Sequence, residues 1–485
     1  MKKLIIILFA IFIFPSVLLA QQSNTMFYMH KVPQSNFVNP AIRSECKVHV
    51  GGAIVPFFGQ VFLPVHINYS NNSFGYSDIF RYGTGAYSDS LVHPFHPNAY
   101  ESGFTQEFLD RMRQQNFINF EMHLNLLNLG INIKDYYLTF NITEKADARF
   151  GFSKDFIEFL AKGNQDAYGR TLNMGWLGLN AKHYREYSLG AQRKFGDKLH
   201  AGAHVKWLFG KANLQTTKND IKLRTNPISW SWMLETDMQM STSSPFFDVT
   251  NYYYDYETDS LVFETDSTLD VEIQDYMLNR KNYGFALDLG AIYDLTDRIS
   301  IHASLLDLGF IRWRDHPETF TSQGRFTFHG LSINEWYEDQ DAKIDSIYSD
   351  SLMHLFEPVQ NQDPYNTWLT AKVNVGGTYQ LHEKLTVGGL YHAQIYNNSI
   401  HSAVILSANS NITNWLSASL NYSIINNTYT NVGLGLYIRG SIFQFFFITD
   451  NVMAPFLPEK TRNINFRMGS NLAFGCKKKE EKVMF

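Results

Sequence analysis

Cysteine and long apolar runs are scarce in this chain of 485 residues. It has two cysteines, and after the first twenty residues no segment has the roughly 20 apolar residues that a membrane-crossing helix needs. A helical membrane protein is thereby excluded for the rest of the chain. Neither sign of charge dominates: 41 Lys and Arg against 46 Asp and Glu leave a formal net charge of -5, which implies no nucleic-acid partner. The marks of catalysis are also missing. There is no nucleophilic serine motif, no glycine-rich phosphate loop and no cluster of ligands at metal-binding spacing. No catalytic residue, cofactor or metal is expected, and the chain does not read as an enzyme.

What is present begins with an export signal. Lys2 and Lys3 precede the apolar stretch from Leu4 to Phe14, and Val17-Leu18-Leu19-Ala20 ends on a small residue before Gln21. Residues 1–20 read as a cleaved signal peptide. No cysteine follows the site, so a lipid anchor is not expected. The exported chain is then either soluble or a β-barrel. Its 27 Tyr and 39 Phe favour the barrel, where aromatic girdles mark both membrane interfaces.

Alternation carries the same reading. Lys372, Asn374, Gly376, Thr378 and Gln380 face one way; Val373, Val375, Gly377, Tyr379 and Leu381 face the other. The stretches Leu199 to Trp207 and Leu416 to Ile424 divide in the same manner. Successive side chains on a strand point to opposite faces, so one wall meets lipid and the other a polar lumen. Trp207, Tyr293, Tyr379 and Tyr422 fall on the apolar wall, where a girdle belongs. Many strands run for about ten residues or more, near membrane-spanning length, whereas a soluble sandwich predicts shorter ones. A turn signature (apolar, any, acid or amide, usually a base, apolar) recurs at 142–146, 195–199, 295–299, 381–385 and 412–416, and each copy is expected to close a hairpin.

The fold predicted is all-β: an antiparallel transmembrane β-barrel of about fourteen strands, or sixteen if Cys46–Val55 and Val61–Tyr69 are separate strands. Pro56 and Pro64 interrupt that region, so it is alternatively one bent strand leading to a plug. Residues 21–44 form an N-terminal extension or plug segment, 45–476 the barrel and 477–485 a charged tail. Long connections fall near 155–182, 212–281, 315–365 and 450–462. The loops 212–281 and 315–365 are acidic and are the expected sites of a protein partner. Helices are expected over Glu101–Gln115 and Lys154–Lys162; parity puts residues 71–116 on the periplasmic side or in the lumen. The last strand runs from Asn463 to Gly475, and either its Phe474 or the terminal Phe485 beyond the charged tail is the expected signal for barrel assembly machinery, unless the tail serves a periplasmic partner; outer-membrane lipid surrounds the wall.

Candidate lumen-facing residues are His200, His204, Lys206, Asp288, His302, Lys372, Asn374, His392, Gln394 and Asn421. Imidazoles can ligate metal, but no acidic or cysteine partner stands at ligand spacing, so a hydrogen-bonded polar lumen is expected. Cys46 opens the first strand and Cys476 ends the last. The two strands are neighbours in a closed barrel, in a compartment that permits disulfides; a bond stapling the seam is one reading and two free thiols the other, because the register that would bring the Cα atoms within about 7 Å is not set by the sequence.

Three motifs carry a resemblance: Asn39-Pro40-Ala41, the segment Asn141 to Phe150 (NITEKADARF), and His183-Tyr184-Arg185-Glu186-Tyr187. They resemble an uncharacterised outer-membrane family of Bacteroidota, defined only as a domain of unknown function, over nearly the whole exported chain. Asn-Pro-Ala is also similar to the wider FadL-like group, which includes hydrophobic-compound transporters and the barrel of the type IX secretion system. The resemblance implies a barrel in the outer membrane of a Gram-negative bacterium with no established substrate. It singles out Asn39, Pro40, Arg149, His183, Arg185 and Glu186. Alternation puts His183 and Arg185 on one face and Glu186 on the other. A carboxylate against lipid is costly, so this motif is expected at the extracellular rim or under a loop, as a salt bridge. The polar lumen argues against a fatty-acid conduit. The function expected is a transport path or membrane scaffold. The alternative is a surface-exposed binding or secretion-associated barrel acting through its loops, with an outer-membrane hydrolase a distant third.

Overall fold

The structure is a computed structural model that describes residues 24–55, 63–163, 168–245, 249–255, 260–265, 272–328, 359–396, 399–425 and 428–476. Fourteen antiparallel strands close into a barrel. In chain order they are β1 (two arms, Val48–Gly51 and Val65–Asn71), β2 (Gln115–Ile133), β3 (Tyr136–Ser153), β4 (Gly178–Phe195), β5 (Leu199–Thr225), β6 (Asn282–Asp294), β7 (Ile299–Trp313), β8 (Tyr365–Trp368 and Ala371–His382), β9 (Leu385–Tyr396), β10 (Ser399–Asn411), β11 (Leu416–Ile425), β12 (Thr428–Gly440), β13 (Phe443–Thr449) and β14 (Asn463–Phe474). Each pairs with its sequence neighbours, and both arms of β1 lie between β2 and β14. The doubtful first pair is therefore one interrupted strand, which makes the count fourteen rather than sixteen.

The outer wall is apolar, with Val205, Trp207, Phe285, Leu287, Leu289, Tyr293, Leu406, Leu420 and Tyr422 exposed. So continuous an apolar surface has no place in water, and the fold is that of an outer-membrane barrel. Among the described residues no helix is long and apolar enough to cross a membrane. Cys46 falls opposite Cys476 by extension of the β1–β14 register, and the two are disulfide-bonded.

Four of the five signature segments lie at tight turns between β4 and β5, β6 and β7, β8 and β9, and β10 and β11. The segment 142–146 does not: it lies inside β3, and the turn before β3 is Lys134-Asp135. Charged side chains there mark an inner wall and an outer ion pair, not a bend. The same error of kind affects 71–116. Because β1 is one strand, residues 72–114 join β1 to β2 at the long-loop end, opposite the tight turns, and not on the periplasmic side. Helices Phe104–Arg111 and Lys154–Lys162 pack together there around Phe108, Leu109, Met112 and Phe156. β5 runs for 27 residues. Its far half continues past the barrel and carries Trp232–Ser243, which in turn pairs with Pro317–Phe328. The signal peptide and the charged tail fall outside the described residues.

Candidate functional site: a plugged polar lumen

Residues 24–44 sit inside the barrel and are almost wholly buried. Two short 3-10 turns, Thr25–Tyr28 and Pro33–Phe37, fold the segment into a compact stopper. Pro33 presets the backbone of the second turn. Apolar side chains grip one wall: Phe27 and Tyr28 pack on Leu390, Ala403 and Ile405, and Met26, Met29 and Val32 pack on Tyr437, Phe446 and Ile448. Polar anchors fix the rest. The Thr25 amide donates to Asp450 Oδ1 at 2.8 Å, Gln34 Nε2 to Asn471 Oδ1 at 2.7 Å, and Ser304 Oγ to the Val38 carbonyl at 2.7 Å.

The Asn39-Pro40-Ala41 motif ends the stopper. Asn39 Oδ1 accepts the Ala41 amide at 3.0 Å, which bends the chain back toward β1. The motif presses on two wall glycines. A Cβ at Gly202 would collide with the Pro40 carbonyl, and one at Gly290 with Asn39 Oδ1. Glycine at these points permits the contact.

Above the stopper lies a layer of charge. Lys206 Nζ is 2.7 Å from Asp288 Oδ2 and 2.7 Å from Asp307 Oδ1. Lys145 Nζ is 2.7 Å from Glu186 Oε2, and Lys372 Nζ is 3.0 Å from Asp307 Oδ2. His204 joins the layer to the stopper, with Nδ1 3.2 Å from Asp288 and Nε2 2.6 Å from Asn36 Oδ1. Asp307 is the hub, and a bulge places it. Its φ is 57°, a left-handed conformation unusual for a residue other than glycine. Its amide donates to Asp288 Oδ1 at 2.7 Å, and β8 breaks into two arms opposite it. Two adjoining cavities of about 100 and 120 Å3 lie over this layer, and Lys145, Asp307, Lys372 and His123 line both.

All ten lumen candidates point inward. His200, His204, Lys206, Asp288, His302, Asn374, His392, Gln394 and Asn421 are buried, and Lys372 is nearly so. Several meet the stopper or one another rather than a cavity: Asn421 donates to Thr25 Oγ1, His302 stands against Phe27 and His30, and His392 bonds Asn374. Among the described residues no three His, Cys, Asp or Glu groups cluster as a metal site would require. Arg149 also points inward. Phe117 and Tyr396 cover it on either side at 4.2 and 4.4 Å, and it bonds His401.

The His183 motif divides as alternation requires, but the residue at risk differs. Glu186 faces the lumen and Lys145; His183 and Arg185 face outward. Glu144 answers them from β3 in an ion pair with Arg185, and its carboxylate is 3.0 Å from His183 Nε2. Helix Ile273–Leu278 lies over this pair, with the Tyr276 hydroxyl 2.6 Å from His183 Nδ1. Burial, together with the charge of Glu144, pushes the Tyr276 phenol up to about 12. Sequence reasoning missed Lys145, which fell in a supposed turn, and Asp307, whose parity the bulge inverts.

A profile described as "Family of unknown function (DUF5723)" matches residues 40–450. No curated protein matches the chain. Among solved structures the chain is similar to the Ralstonia pickettii toluene transporter TbuX, at 9% identity and a TM-score of 0.38 over 91% of this chain and 94% of that one. It is also similar to a Pseudomonas aeruginosa FadL homologue, at 9% identity and a TM-score of 0.37 over 94% and 98%. The translocator domain of the Neisseria meningitidis autotransporter NalP aligns at 6% identity and a TM-score of 0.33 over 93% and 100%.

Proposed function

The chain belongs to DUF5723, a family of unknown function, and we propose that it is a gated, non-enzymatic path for a small hydrophilic solute across the outer membrane. One observation carries this reading: the lumen holds polar cavities above, yet is shut below by a separate segment seated against the wall by two apolar clusters and a set of hydrogen bonds. A barrel built only to scaffold has no use for a charged cavity seated on a folded stopper. The lining supports a water-soluble passenger, because an oily one would strip water from three lysines and three carboxylates.

Planar-bilayer conductance tests the reading. The full chain should be silent or open only briefly, and a chain lacking residues 24–42 should form a steady ion-conducting pore. Locking the stopper with Val38→Cys and Ser304→Cys should abolish the brief openings. A deletion variant that folds and stays silent would favour the second reading, a surface-binding barrel. That reading has its own support in the sheet standing beyond the rim, whose hairpin tip exposes Ile228 and Trp230.

A further inference from the structure

Every lysine of the central layer has a carboxylate, but one arginine beside it does not. Arg467 stands on the inner wall of β14, directly across from His66 on β1. Among the described residues no carboxylate lies within 4.0 Å of its guanidinium. Its one polar contact is with Met26 Sδ of the stopper at 3.6 Å, and its buried Nε has no hydrogen-bond partner. His66 is 4% exposed, and neither of its ring nitrogens has a partner. The His123 ring packs against it at 5.3 Å and is itself held by Asp147 at 2.8 Å. Arg467, His66 and His123 line one cavity with Lys145 and Lys372, and the carboxylates that share it are already bound to the lysines.

A part-buried cation whose nearest carboxylates, Asp450 and Glu121, stand beyond ion-pair distance is costly, and so is a buried imidazole with both nitrogens idle. A bound group that accepts from both would offset that cost. We propose that Arg467 and His66 form the binding site for a small oxyanion, a carboxylate or phosphate group carried by the solute. The Arg467 guanidinium donates to the anion through Nε, and a neutral His66 donates its single N–H. Because Arg467 also touches Met26, an anion drawn to it sits against the stopper, where its arrival can be felt by the segment that must move.

This inference names the solute class for the path described above and rests on that reading. Binding is measured on the closed barrel without transport, so its failure leaves the conductance result untouched. Isothermal titration of the detergent-solubilised full chain with inorganic phosphate, and separately with acetate, provides the test. Wild-type protein should bind at least one of them, and the tighter of the two assigns the group. Arg467→Gln should weaken binding by roughly tenfold to a hundredfold, the loss of one charge-assisted hydrogen bond. His66→Gln should weaken it less, and Lys384→Gln on the tight turn beneath β9 should change nothing. Heat-modifiable migration on gels reports folding, and should Arg467→Gln fail to fold, His66→Gln carries the comparison. Failure of the wild-type chain to bind either anion, or equal binding by wild type and the folded variants, overturns the proposal.

Discussion

Replacing Asp307 by asparagine removes the hub charge and little else. Asparagine tolerates the left-handed backbone at this position, so the φ of 57° is kept, and the amide bond to Asp288 survives. The lysines are affected unequally. Lys206 retains Asp288 at 2.7 Å, and Lys145 retains Glu186 at 2.7 Å. Lys372 loses the one carboxylate within ion-pair distance among the described residues. Stranding one partner of a buried ion pair costs about 3–5 kcal/mol; Lys372 keeps 13% side-chain exposure, so a loss of about 3 kcal/mol is expected. Adding Lys372→Met removes the stranded charge and should restore about 1–2 kcal/mol. Urea unfolding in detergent micelles, followed by tryptophan fluorescence, measures both variants. A single variant within about 0.5 kcal/mol of wild type would refute the account of Asp307 as hub. So would a double variant no more stable than the single one.

Two further outcomes follow from the ends of the barrel. The Cys46–Cys476 bond closes a loop with a sequence separation of 430, so Cys46→Ser with Cys476→Ser should lose roughly 2–4 kcal/mol. A reducing agent should reproduce that loss in the native chain and add nothing in the double variant. At the rim, burial raises the Asp315 carboxyl, but hydrogen bonds from Lys281 and Asn279 outweigh it and leave its pKa below the ordinary range. A depressed carboxyl stabilises the folded state above its unfolded value, and that share is lost as pH falls through the lowered one. Thermal melts between neutral pH and about pH 3 should therefore show a smaller acid loss for Asp315→Asn than for the native chain.

The wall was legible because its cause is local. A strand turns every second side chain to the same side, and lipid on one side with water on the other writes that period into the residues. Hence the ten inward candidates and the Lys154–Lys162 helix could be read directly, whereas alternation separated Glu186 from His183 and Arg185 without telling which of the two faces meets the lumen. Bulges and long-range contacts have no such period. The bulge at Asp307 turns an odd-numbered residue inward and so creates the hub; a charged stretch in β3 looks like a turn until its partners on β4 are known. The two arms of β1 resemble two strands until both are found against the same neighbours, and that finding moves residues 72–114 to the opposite end of the barrel.

The order of residues alone determined that this chain forms a closed apolar-walled barrel with a polar interior, since those properties depend on neighbours two apart. Only the tertiary structure decided that residues 24–44 fill that interior, and that Arg467 and His66 meet there with no carboxylate in ion-pair contact among the described residues. Their partners lie hundreds of positions away, and the order of residues carries no record of which charges come into contact on folding.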